Sequence, residues 1–328
     1  MNSNLMFSII ICVYNGESTI DKSINSVLCQ KFKSYEIIVV NDGSTDHTAK
    51  KLAEIKSDKL KIFTQNNQGT MGARKSGLKL AKGKYVLFLD ADDSFTENSL
   101  SILAYKIKKF NYPDCVLFKL FSFNENSLKI YREESNKNDY IVTSNELIIT
   151  RYYVDNFYYS DAMKLFNRKY IEKILNIPET FDSTIYAEDI LISSIIVTNS
   201  EKILIISDLV YNYFINSESV THQRNIKYFE EAFNSYYFAF LNITEKYGKA
   251  RLKNSKFEIS FFGIFLSYLF HISKFYNFKI AKSKYKYFHK NNLFLNHQKM
   301  SIKYDFVFFI YRHKCFLALY LITKFFKY

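Results

Sequence analysis

The stretch YVLFLDADDSF, residues 85–95, sets three carboxylates within four positions, Asp90, Asp92 and Asp93, directly after a run of strand-forming apolar residues. Carboxylates this close repel one another and raise each other's pKa, so they need a compensating cation. Mg2+ or Mn2+ suits them, because these hard ions take oxygen ligands and are commonly held by one or two carboxylates plus substrate phosphates. The stretch points to a divalent ion bridging this acidic cluster to a phosphorylated ligand. An Asp at a strand end also serves as a turn former or helix cap, and the motif alone leaves that reading open.

Other apolar runs end in polar groups as well. VYNGES carries Tyr14, Asn15 and Glu17; VVNDGSTD carries Asp42; QNNQGTMGARKSG carries Gly69, Gly72 and Arg74. A carboxylate such as Asp42 suits the hydrogen-bond donors of a base or ribose. Glycines let backbone approach a ligand closely, and an arginine neutralises a diphosphate. NDGSTD is also a good turn followed by a helix cap, but four such segments gathered on one rim point to a ligand.

The elements that would gather them are legible. FSIIICV, YEIIVV, LKIFTQ, KYVLFLD and CVLFKLFSF read as strands, and the stretches between the first four and after the fourth have helical period. Alternation of this kind predicts βαβ units and a mostly parallel sheet buried on both faces, with ligands at the carboxyl ends of the strands. STDHT and SFTEN supply helix N-caps. Residues from about 124 to 145 are polar and read as loop or edge structure. The segments beginning at Asp161 (DAMKLFNRKYIEKIL) and Ala187 (AEDILISSIIVTN) read as helices, and that beginning at Lys202 (KILIISDLVYNYF) as a strand pair.

The chain has 328 residues and a formal net charge of +13. From Arg224 onward there are 19 Lys and Arg against 5 Asp and Glu, so the basic excess belongs to the last third. This shift divides the chain into a first unit, 1–222, and a basic, aromatic-rich helical unit, 223–328. Four dispersed cysteines argue against a zinc site or disulfide framework and fit a reducing cytoplasm. The apolar run near the N-terminus reads as a first strand, not a signal peptide. ISFFGIFLSYLFHIS, residues 259–273, has 15 uncharged residues, short of the roughly 20 of a spanning helix. It reads as a buried helix of a small bundle, with shallow membrane contact as the alternative. The final segment, residues 304–328, is broken by Arg312, His313 and Lys314 and reads as amphipathic. Lys and Arg interleaved with Phe and Tyr fit attraction to an anionic membrane or a solvated face. Nucleic acid is not expected, because no binding motif accompanies the charge.

In order and spacing, SIIICVYNGESTIDKSINSVLCQKF, YEIIVVNDGSTDHT, NNQGTMGARKSGLKLAKGKYVLFLDADD and AEDI resemble inverting glycosyltransferase family 2, whose catalytic domain has the GT-A fold. The likeness covers residues 5–95 closely and extends to about 220 more loosely. It resembles in particular the bacterial capsule, lipopolysaccharide and teichoic-acid transferases. It implies a nucleotide-sugar donor, most often a UDP-sugar, and a glycan or lipid-linked acceptor at the inner face of the membrane. Asp42 would contact the base, with Tyr14, Asn15 and Glu17 lining that pocket and Gly69 and Arg74 near the nucleotide or its diphosphate. Asp92, with Asp90, would hold Mg2+ or Mn2+, with Asp93 as a helper.

In YAEDIL the resemblance makes Asp189 the base for the acceptor hydroxyl, beside Glu188; without it, both are first-turn carboxylates favoured by the helix dipole. YNYFINSESVTH resembles a later family segment, in which His222 would complete the metal shell. MKLFNR, around Lys164, resembles a segment on the acceptor side. Cys12 stands where the family usually has Pro, Asn41 replaces the first Asp of DDGS, and Lys75 stands where Asn often follows the Arg. A nucleotidyltransferase of the sugar-nucleotide pyrophosphorylase kind would want a glycine-rich, basic loop after the first strand, but VYNGESTID has one glycine and carries Glu17. A catalytically inactive nucleotide-sugar-binding partner is the other alternative, disfavoured because Asp42, Asp92 and Asp189 are all present.

Overall fold

The computed structural model describes residues 5–124, 127–131, 138–144, 164–214, 225–248, 252, 256–290, 317 and 320–321. Its centre is a mixed sheet of ten strands. Four parallel strands form one side: β1 (Phe7–Val13), β2 (Tyr35–Asn41), β3 (Leu60–Thr64) and β4 (Tyr85–Phe88), in the order β3-β2-β1-β4. Helices α1 (Ile20–Leu28), α2 (Thr48–Glu54) and α3 (Gly69–Leu80) connect them. β1, β2 and β4 are almost continuously apolar and buried, as strands covered on both faces must be. β3 departs from that expectation. It is the sheet edge, and Ile62 and Phe63 are about 42% and 41% exposed.

α3 lies close against the sheet because Gly77 has no side chain. A Cβ there would stand 2.4 Å from Ile10 Cγ2. The residue at the cap of α2 is His47, whose side chain makes no cap bond; Asp46, one residue earlier, accepts the Thr48 N–H at 3.0 Å.

The second side of the sheet is less regular. β5 (Ser94–Phe95) and α4 (Ser99–Lys109) lead into β6 (Cys115–Asn124), followed by the short β7 (Ser127–Tyr131) and β8 (Tyr140–Val142). These last two are antiparallel edge pieces, in line with the polar composition there. The helix expected from Asp161 is different in the structure. Lys164–Asn167 is a strand, β9, inserted antiparallel between β4 and β6; only after a turn of 3-10 helix at Arg168–Tyr170 does α5 (Ile171–Leu175) begin. Leu165 and Phe166 are fully buried in the sheet centre, and that burial overrides the local helical pattern.

The expected strand pair is one strand, β10 (Ile203–Phe214), parallel to β6 with register shifts around Leu209. The polar Ser207–Asp208 dipeptide lies within this strand. Ser207 N–H donates to Asp139, and the Lys106 ammonium, on α4, lies between the carboxylates of Asp139 and Asp208, 2.6 Å from each.

Helix α6 (Glu188–Asn199) covers this side of the sheet. Beyond it are α7 (Ile226–Tyr247), α8 (Lys256–Phe275) and α9 (Phe278–Lys290). Ala239 and Ile243 of α7 join the main core, and α7 meets α8 along stacked rings, Phe233 on Tyr268 and Phe240 on Phe261. α8 buries Phe261, Phe265 and Leu269, as a bundle helix does. Among the described residues no helix is long and apolar enough to cross a membrane. The segment 304–328, apart from 317 and 320–321, lies outside the described residues.

Candidate active site

The carboxyl ends of β1, β2, β3 and β4 share one rim because these strands are parallel and in register. Tyr14, at the end of β1, is 52% exposed there. The next residues bind the first loop to the second. The Asn15 side-chain oxygen accepts from Thr45 N–H at 2.8 Å, and its own N–H donates to Ser44 Oγ. Asn15 takes a positive φ of 54°, which asparagine tolerates. Glu17 Oε2 accepts the His47 N–H at 2.7 Å. Asn15 and Glu17 thus spend their polar atoms on joining the two loops.

Asp42 is almost fully buried. Its carboxylate accepts from Gln65 Nε2, Gln68 N–H and Gly69 N–H at 2.7, 2.9 and 3.0 Å. The third rim loop is folded around this one carboxylate. Gly69 has φ +81° and a Cβ there would meet the Ser183 backbone at 3.0 Å, so both conformation and space require glycine. The following N–H groups open α3 without helical partners. Met71 and Gly72 donate them to the carbonyls of Thr184 and Asp182. Lys75 Nζ, buried, donates to Ile177 O at 2.7 Å and pairs with Asp182. The segment 177–184, far along the chain, is therefore fastened to the donor-side helix.

Arg74 is the junction. Its guanidinium is buried over the Phe88 ring at 5.1 Å, with Nη2 3.3 Å from Asp90 Oδ1 and Nη1 3.3 Å from Glu188 Oε1. It thus stands between two carboxylates and supplies part of the positive charge that the acidic turn needs. It also ties the end of β4 to the first turn of α6, which carries Asp189 beside Glu188. Asp189 lies near Tyr236 of α7, whose phenol is pushed above its usual range by burial first and then by the Asp189 charge.

The three carboxylates after β4 differ in surroundings. The Asp90 side chain is 41% exposed. Asp92 is half-buried, and desolvation, then the Asp90 charge, push its carboxyl up to about 6. Asp93 is 1% exposed and faces inward. Its Oδ2 accepts the Tyr211 O–H at 2.7 Å and its Oδ1 the Phe214 N–H at 2.8 Å. Burial, with Asp90 and Asp92 nearby, holds it well above the ordinary carboxylate range.

Asp90 and Asp92 are oxygen donors of the kind that hold Mg2+ or Mn2+ jointly with phosphates, and the desolvated, charge-repelled state of Asp92 fits a cation. Among the described residues no three His, Cys, Asp or Glu side chains converge into a ready cage. His222 lies outside the described residues. Sequence reading missed Tyr211 and the Arg74–Glu188 pair. Both depend on contacts more than 100 residues apart, for which no local signal exists.

A profile of glycosyl transferase family 2 matches residues 8–175. Escherichia coli WfgD, described as a UDP-Glc:alpha-D-GlcNAc-diphosphoundecaprenol beta-1,3-glucosyltransferase, is 40% identical over 98 residues, 30% of this chain and 39% of that protein. Glycosyltransferase GlyA of Streptococcus pneumoniae is 29% identical over 226 residues, 65% of this chain and 31% of that protein. The chain therefore spans well under half the length of these curated relatives. Staphylococcus aureus TarS, residues 1–349, superposes with a TM-score of 0.60 at 20% identity, covering 98% of this chain and 90% of that one. Its complex with UDP gives 0.61 at 19% identity, with the same coverage. That likeness is one of fold, and the fold is GT-A. With the family profile extending over half of its length, this chain belongs to glycosyl transferase family 2.

Proposed function

We propose that the chain moves a sugar from a nucleotide-sugar donor, a UDP-sugar, to a hydroxyl of a cell-surface glycan or lipid-linked acceptor, with inversion at the anomeric carbon. The carrying observation is the Arg74 bridge, which holds the donor-side Asp90 and the first turn of α6 at one centre. Tyr14, Asn15, Glu17, Asp42 and Gly69 shape the nucleotide pocket. Asp42 does so through the loop it holds, and Tyr14 offers its exposed ring. Asp90 and Asp92, with His222, would hold Mg2+ or Mn2+, which would offset charge on the departing nucleoside diphosphate. Asp189 accepts the proton of the acceptor hydroxyl as the new C–O bond forms and the bond from the anomeric carbon to the diphosphate oxygen breaks. The co-crystallisation of TarS with UDP supports the donor class.

In this reading residues 1–222 form the catalytic unit and 223–328 hold the protein against an anionic membrane at its cytoplasmic face. The exposed Lys279, Lys282 and Lys286 of α9, beside the exposed Ile280, support that placement. The test is a panel of nucleotide sugars with Mg2+ or Mn2+, reading released nucleoside diphosphate. Release with one UDP-sugar is expected. Absence of both release and UDP binding across the panel overturns the proposal.

A further inference from the structure

The third aspartate of the acidic turn is built into the fold differently from the other two. Asp93 is 1% exposed, and both its oxygens already accept hydrogen bonds from β10, one from the Tyr211 hydroxyl and one from the Phe214 N–H. Tyr211 is fully buried, and its hydroxyl oxygen also accepts the Asp90 N–H at 3.1 Å. One phenol therefore touches both ends of the turn, the backbone of Asp90 and the carboxylate of Asp93. The turn closes on itself through Asp93 N–H to Asp90 O at 3.1 Å, and Ser23 Oγ donates to the same carbonyl. Beyond the turn, β5 pairs with β10 at Phe95↔Tyr211 and Ser94↔Asn212, so the strand that carries the phenol is itself fixed to this segment. The backbone of Asp92 lies between these two anchored residues.

We propose that Asp93 and Tyr211 form a clasp that sets the geometry of Asp90 and Asp92 toward a divalent ion and a diphosphate, so that Asp93 is a positioning residue and not a ligand. A ligand must present an oxygen to the cleft, whereas both Asp93 oxygens are turned toward β10. The inference rests on the proposed donor site, and the experiment separates the two.

Titration calorimetry of UDP with and without Mn2+ is made on the parent, Tyr211→Phe, Asp93→Asn and the double variant, with thermal melts alongside. Each single variant is expected to lose about tenfold in Mn2+-dependent UDP affinity while metal-free UDP binding is unchanged. The double variant is expected to lose no more than the worse single one, because both remove the same clasp. If Asp93→Asn abolishes the Mn2+ effect while Tyr211→Phe keeps it, Asp93 is a ligand and the clasp is wrong. If both variants melt lower but bind UDP and Mn2+ like the parent, the contact is structural only and the proposal also falls. A parent that binds no UDP with Mn2+ overturns the donor-site reading and the clasp with it.

Discussion

The two sides of the sheet are made in different ways. On the parallel side, β1 to β4 follow one another at short range, and the rim loops are fixed by their neighbours: Asn15 to Thr45, Glu17 to His47, Asp42 to the loop that begins at Gln65. On the other side, β9 is drawn from far along the chain into the space between β4 and β6, and β10 holds the acidic turn from more than 100 residues away. The rim loops of the parallel side are thus closed largely by near neighbours, apart from the seam of α3 with residues 177–188, whereas the other side is assembled by long-range contacts. With the donor bound on the first side, metal-free nucleotide binding should tolerate changes on the second, whereas transfer should not.

The sharpest test of that division is Asp189→Ala. Transfer should fall about 10²–10⁴-fold, the usual worth of a general base, while UDP affinity stays within about threefold of the parent. Parallel loss of nucleotide binding would erase the distinction between the halves. Phe166→Ala empties the centre of the inserted strand and should cost about 3–5 kcal/mol in a urea melt. A loss under about 1 kcal/mol would mean that β9 is not the keystone it appears in the packing. Asp42→Ala leaves Gln65, Gln68 and Gly69 without their shared acceptor. A smaller destabilisation of about 2–3 kcal/mol is expected, together with a raised KM for donor and a nearly unchanged kcat.

The smallest effect is pH-dependent and belongs to the parallel half. Burial alone would raise Glu36, but hydrogen bonds from Lys61, Ser8 and the Lys82 N–H outweigh it and hold the carboxyl below its ordinary 4.5. With the folded value depressed, its stabilisation is complete above the unfolded value and is lost as pH falls through the folded one. Glu36→Gln should therefore flatten the acid limb of urea midpoint against pH below about 4.5. An unaltered limb would show that other carboxylates carry it.

Legibility in the sequence follows the same division. The four parallel strands, their helices and the rim residues were readable because apolar runs, turn residues and caps lie within a few residues of each other. At β9 the segment KLFN carries too little pattern to compete with the helical period around it, and only the gap between β4 and β6 makes it a strand. That 203–214 is one strand was not legible, because Lys106, the partner of Asp208, is invisible at short range. At the site, the acidic turn was found by its charge. That Arg74 neutralises part of it from inside the fold, and that Asp93 faces away from the cleft, depends on three-dimensional neighbours.

The buried guanidinium has a practical consequence for exchanging parts among relatives. Its planar fork meets Asp90 with one nitrogen and Glu188 with the other, a geometry that a lysine's single ammonium does not reproduce. A chimera joined just after the acidic turn would need a matching carboxylate at position 188, and an acid at 182 for Lys75, from its new second half. Without them Arg74 would lose one of its two carboxylate contacts and Lys75 its acid. Recombination boundaries that keep residues 69–75 with 177–189 preserve the molecule's own seam, even though those segments lie a hundred positions apart.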